Sequence, residues 1–118
     1  MSWYLAGKRS PDHSAQTIPI RATPCYVGRR PDVAICLPSP TVSNLHAELV
    51  LQDEYVLVRD RKSTNGTFVN GHRVEDEYQA REGDLVQFAE TVFRLGRETE
   101  DVNTRTIQED AFQRAQAL

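Results

Sequence analysis

Asp60-Arg61-Lys62-Ser63-Thr64-Asn65-Gly66-Thr67-Phe68-Val69-Asn70-Gly71-His72-Arg73-Val74 is the stretch of this 118-residue chain whose reading decides the fold. Asn70-Gly71 sits between two short apolar runs, Thr67 to Val69 and Arg73-Val74. Both central positions of a type I′ turn need positive φ, so this dipeptide predicts a β-hairpin. The segment before it, Asp60 to Thr67, packs small polar groups and an Asn-Gly pair into one loop. Immediately upstream, Ala47 to Gln52 and Tyr55 to Asp60 flank Asp53-Glu54 and predict a second tight hairpin. Alternation in its second arm puts Tyr55, Leu57 and Arg59 on one face and Val56, Val58 and Asp60 on the other. Further out, Trp3 to Ala6, Ile18 to Thr23, Cys25 to Gly28, Ile35 to Leu37, Asp84 to Phe88 and Thr91 to Leu95 read as strands. About ten short strands with turn residues between them predict an all-β sandwich or barrel.

The composition permits that fold and narrows the function. Hydrophobic residues make up 39% and charged residues 26%, enough apolar material for the core of one domain. With 14 Lys and Arg against 17 Asp and Glu the net charge is -3, which provides no drive toward a polyanion such as duplex DNA. No run is long enough to span a membrane, and the opening Met1 to Gly7 lacks the features of a secretory signal, so the chain reads as cytoplasmic. Cys25 and Cys36 lie in apolar segments and read as small buried hydrophobes rather than a disulfide framework.

Enzymatic constellations are weak. Ser43, His46 and Asp60 invite a triad reading, but Ser43 lies in no nucleophile elbow. His13, His46 and His72 are far apart and the cysteines are not in C-x-x-C spacing, so no metal site is indicated. Neither glycine-rich nucleotide loop occurs, and no cofactor is expected. What remains is a binding module. Three loops carry groups suited to an anion: Gly28-Arg29-Arg30, with rigid guanidinium forks; Ser43-Asn44 ahead of His46; and the segment Asp60 to Thr67.

Together these residues resemble the forkhead-associated (FHA) domain, a module that binds phosphothreonine peptides. The pattern is Gly28-Arg29, Ser43-x-x-His46, and Asp60-x-x-Ser63-x-Asn65-Gly66-Thr67-x-x-Asn70-Gly71, with Gly83-Asp84 and Phe88 behind, across about residues 3 to 96. The resemblance implies a sandwich of two antiparallel sheets and about eleven strands, with the ligand held by loops at one apex. It further implies that Arg29 and Ser43 contact phosphate, that Asn65 hydrogen-bonds the ligand backbone, and that Asn44 and Thr64 add contacts. Gly28, His46, Gly66, Asn70 and Gly71 would support the site, with His46 bracing the loops by hydrogen bonds. The physics agrees: a phosphate dianion rewards a bidentate guanidinium and neutral donors. The competing reading is a phospho-independent interaction or oligomerisation scaffold.

The domain is expected over residues 1-96, with 97-118 an acidic linker leading into a helix. Thr106 and Glu109 form a capping box, and Ile107, Ala111, Ala115 and Leu118 recur at helical spacing, a stripe suited to dimerisation. Thr99, Thr104 and Thr106 lie in a polar stretch that a kinase can reach, which makes them candidate ligands for the domain's own site. By resemblance to bacterial signalling proteins, the chain reads as an N-terminal module ahead of an output domain.

Overall fold

A computed structural model describes residues 2–98, which form eleven strands and no helix among the described residues. The strands are β1 (Ser2–Gly7), β2 (Gln16–Pro19), β3 (Cys25–Gly28), β4 (Ile35–Cys36), β5 (Ala47–Leu51), β6 (Val56–Asp60), β7 (Thr67–Val69), β8 (His72–Arg73), β9 (Glu77–Ala80), β10 (Leu85–Phe88) and β11 (Thr91–Glu98). They build a six-stranded sheet in the order β2-β1-β11-β10-β7-β8 and a five-stranded sheet in the order β4-β3-β5-β6-β9. Pairing is antiparallel except between β3 and β4, where Val27 faces Ile35 in parallel register. The proposed terminal helix, its dimerising stripe and the three threonines lie outside the described residues. The expected boundary at residue 96 falls inside β11, which runs on to Glu98.

Period-two burial welds the sheets together. On β6, Val56 and Val58 are fully buried; on β11, Phe93 and Leu95 are buried while Val92 and Arg94 face outward. These side chains meet Trp3 and Leu5 from β1, Val27 from β3, Leu49 from β5 and Val86 and Phe88 from β10 in one apolar layer between the sheets. The six pairs from Ser2↔Glu98 to Gly7↔Phe93 hold the first and last described strands together.

The β5–β6 connection closes through Gln52 N–H donating to the Tyr55 carbonyl at 2.9 Å, which leaves Asp53-Glu54 as the two-residue turn read from the sequence. Asn70 and Gly71 both have positive φ, 51° and 84°, joining β7 to β8 as their dipeptide predicts. The Asn70 side chain reaches further: its Nδ2 donates to Asp84 and its Oδ1 accepts from Leu85 N–H, which fastens the hairpin to the start of β10. Strand β9 went unread because Glu77-Tyr78-Gln79-Ala80 carries one large apolar residue and no β-branched side chain. It forms by pairing along the edge of β6, Val56↔Ala80 to Arg59↔Glu77, with an Arg59 Nε–Glu77 Oε1 ion pair of 2.9 Å outside. Strand β2 begins two residues earlier than its apolar run because β1 sets its register, Gly7↔Gln16 to Tyr4↔Pro19.

A Cβ on Gly71 would meet nothing within 4 Å, so only the backbone conformation resists substitution there. Gly71→Ala is expected to cost about 1 kcal/mol in chemical denaturation, with unchanged circular dichroism.

Candidate functional site

The ends of β3, β6, β10 and the starts of β5, β7, β11 lie at one apex of the sandwich, and the loops between them interlock. Gly28, the last residue of β3, decides how closely they approach. A Cβ there would lie 2.1 Å from the Asn44 carbonyl oxygen, a position no side chain can share. With glycine in place the β4–β5 loop rests on the strand end: Arg29 N–H donates to the Ser43 carbonyl at 2.9 Å and Arg30 N–H to the Asn44 carbonyl at 3.3 Å.

His46 holds this loop from inside. Its ring is fully buried and meets Phe88 edge to face, with centroids 6.0 Å apart. Nδ1 accepts the Ser43 backbone N–H at 3.0 Å, and Nε2 lies 2.8 Å from the Gly66 carbonyl. A backbone N–H only donates and a carbonyl only accepts, so the ring is the neutral tautomer with its proton on Nε2. Burial pushes the imidazole below its ordinary value, against the opposing pull of the Gly66 carbonyl and the Asp60 charge.

Asp60 ties the β6–β7 loop. Its Oδ1 accepts from Ser63 Oγ at 2.5 Å and Thr67 Oγ1 at 2.8 Å, and its Oδ2 from Ser63 N–H at 3.2 Å. Ser63 Oγ in turn accepts Gly66 N–H at 3.0 Å. Gly66, at φ 91°, makes the left-handed turn into β7 and aims its carbonyl at both His46 and Ala89 N–H. The Ser43, His46 and Asp60 side chains are therefore not connected as a triad. Ser43 Oγ accepts Thr64 N–H at 3.0 Å rather than meeting the imidazole, and Asp60 is taken up by Ser63 and Thr67.

The five residues expected to contact ligand come together on the outer side of this scaffold. Arg29 is exposed and donates to the Pro40 carbonyl at 3.1 Å and, at 3.4 Å, to Asn44 Oδ1, which uses two of its five N–H groups. No carboxylate of the described residues ion-pairs with it, whereas Arg30 pairs with Asp32 and Arg61 with Glu48. Because Ser43 Oγ already accepts from Thr64, its own proton is available to a ligand. Asn65 anchors its Nδ2 on the Thr41 carbonyl at 2.7 Å, so its Oδ1 is oriented by a bond from the β4–β5 loop. Guanidinium, hydroxyl and two amides thus surround one small surface, a donor set matched to a tetrahedral dianion.

Sequence reasoning left Asp60, Ser63 and Thr67 out of the supporting set although all three stood in the quoted pattern. The signal was available: an Asp three residues before a Ser, in a loop, is the spacing of a side-chain-capped turn. The carbonyls of Pro40 and Thr41, which orient Arg29 and Asn65, had no signal at all, since any residue supplies a carbonyl. Both cysteines are free; Cys25 is buried and its thiol is pushed up to about 11 by desolvation, so it packs and does not react.

Fold and loop geometry define a β-sandwich with three interlocked loops at one apex, and comparison with known proteins gives its family. The FHA domain family model matches residues 25–89, and the chain belongs to that family. It is 36% identical over 99 residues to the glycogen accumulation regulator GarA of Mycolicibacterium smegmatis, covering 82% of this chain and 61% of GarA. It is 34% identical over 86 residues to the FHA domain-containing protein FhaA of Mycobacterium tuberculosis, covering 71% of this chain and 16% of FhaA. A solved domain studied for phosphothreonine-dependent FHA interactions superposes with a TM-score of 0.72 at 29% identity, over 84% of this chain and 99% of that one. The chain thus spans less than two thirds of the length of either of these curated relatives.

Two measurements check the scaffold. Gly28→Ala should cost about 3 kcal/mol, far more than Gly71→Ala, because backbone atoms rather than a side-chain tip occupy the space. His46 makes stability pH-dependent in a definite direction: its folded value is depressed, so its contribution is complete above the unfolded value near 6.5. Below that the unfolded chain takes up a proton that the folded one refuses. Stability should fall as the pH drops through the unfolded value, and His46→Gln should lose less over the same interval in urea titrations.

Proposed function

We propose that this chain reads phosphothreonine in partner proteins as a signalling module of the cytoplasm, without catalysing a reaction. Arg29 and Ser43 take the phosphate, Asn65 the peptide backbone, and Asn44 and Thr64 the remaining contacts. The observation that carries this reading is the pairing of an Arg29 guanidinium with no carboxylate partner among the described residues and a Ser43 hydroxyl that accepts Thr64 N–H on one of its two lone pairs and keeps its own proton to donate. Each is left to donate, and both stand on loops fixed by buried bonds, so little ordering is needed on binding. The phosphothreonine-dependent interactions studied in the related solved domain support the same ligand class. Gly28, His46 and Gly66 act by holding the loops, and Asn70 and Gly71 by fixing the hairpin behind them. The sandwich that closes with β11 at Glu98 is the reading unit.

Arg29→Ala should weaken binding to a phosphothreonine peptide library at least about thirtyfold, while Arg29→Lys retains part of it, because a point charge lacks the fork. Calorimetry alongside circular dichroism measures both. Binding that survives either Arg29→Ala or phosphatase treatment of the peptides contradicts the proposal and favours a phospho-independent scaffold.

A further inference from the structure

Four strands lie at sheet edges, β2 and β8 in one sheet, β4 and β9 in the other. An edge leaves backbone N–H and C=O groups open to a further strand, and three of these edges are blunted. β4 and β8 are two residues long, and β4 runs on into Leu37-Pro38. On β2, Ile20 N–H donates to the Trp3 carbonyl, so Thr17 and Pro19 turn their backbone outward, and Pro19 has no N–H to offer. β9, Glu77–Ala80, has four residues and no proline.

The register identifies its free groups. Gln52 N–H to the Tyr55 carbonyl and Arg61 N–H to the His46 carbonyl fix the backbone of Tyr55, Leu57, Arg59 and Arg61 toward β5. Val56 and Val58 therefore bond across to Ala80 and Tyr78, while Glu77 and Gln79 turn their N–H and C=O groups to the open side. No loop backbone among the described residues takes them. Glu77, Gln79 and Arg81 are exposed and alternate onto the outer face.

This edge is complementary to itself. An antiparallel second copy centred on Gln79 exchanges two backbone bonds between the paired Gln79 residues, lays half-buried Tyr78 over Ala80 of that copy, and sets Glu77 opposite its Arg81 twice over. Centring on Glu77 would oppose two carboxylates, on Tyr78 would need Glu75 from outside the strand, and on Ala80 would set Arg81 against Gln79, so charge selects the first register. The two groups are available: Arg59 Nε holds Glu77 through Oε1 alone at 2.9 Å, and Arg81 reaches the Glu54 carbonyl at 3.5 Å with no carboxylate paired to it among the described residues.

We propose that β9 is a self-association edge, along which two copies of this chain pair antiparallel and join their five-stranded sheets into one. Glu77 lies across from Arg59, next to the start of the β6–β7 loop, so the two apexes point away from each other and both stay open. Four residues a side bury less than the about 1,200 Å² of a standard interface, which makes the dimer a transient one. Sedimentation equilibrium of the full chain up to about 1 mM tests this without any peptide, independently of the phosphothreonine reading. The wild type should associate reversibly. Gln79→Pro removes an N–H that faces solvent in the monomer, so it should keep the fold by circular dichroism and weaken association at least about tenfold. Glu77→Arg and Arg81→Glu should each weaken it, and an equimolar mixture of the two should restore it, since each variant then meets the opposite charge on the other; misfolding is not repaired by mixing. A wild type that stays monomeric overturns the proposal. So does association that Gln79→Pro leaves unchanged, which assigns it to another surface such as the Ile107, Ala111, Ala115 and Leu118 stripe, and so does a mixture that associates no better than its components.

Discussion

Both ring nitrogens of a single buried histidine are committed to backbone groups of different loops, and the binding apex depends on that. His46 begins its work one residue before β5, taking Ser43 N–H on one side and giving its proton to the Gly66 carbonyl on the other. Ser43 and Gly66 come from the β4–β5 and β6–β7 loops, which otherwise share only Thr64 N–H to Ser43 Oγ and Asn65 Nδ2 to the Thr41 carbonyl among their side-chain bonds. Removing the ring would strand the Ser43 N–H, which costs far more unpaired than it contributes paired, and would leave the Gly66 carbonyl with Ala89 N–H alone. Gly28 completes the arrangement by letting the loop backbone settle where a Cβ would sit.

From this rigid base comes a local charge that contrasts with the whole. The chain is net -3, yet the apex displays Arg29 without a carboxylate partner among the described residues, while neighbouring Arg30 and Arg61 are held by Asp32 and Glu48. Arg61 also lies over the Tyr26 ring at 6.0 Å. Neutralising the surrounding arginines concentrates the demand for an anion at one guanidinium and the donors beside it. Such a site gains specificity from geometry rather than from a broad positive field.

Much of this was legible in the sequence, for stateable reasons. The Asn70-Gly71 turn and the β5–β6 hairpin follow from local chemistry, as does the alternation of Val56 and Val58 against Leu57 and Arg59. The five residues proposed to face the ligand stand out as a pattern, and the structure brings Arg29, Ser43, Asn44, Thr64 and Asn65 to one surface. Strand β9 was hidden because pairing with β6, rather than its own composition, makes it a strand. The parallel β3–β4 pair was hidden because alternation does not encode strand direction. The Asp60–Ser63–Thr67 knot escaped because those residue types are equally at home in a solvated turn; only the fold shows one carboxylate accepting three bonds.

The central claim is that a neutral, Nε2-protonated His46 locks the loops, and long-range proton–nitrogen correlation of its imidazole tests it most directly. The account predicts a proton on Nε2, an unprotonated hydrogen-bonded Nδ1, and no titration as the pH falls through the ordinary histidine value of about 6.5. A ring that titrates at that value, or carries its proton on Nδ1, would contradict it.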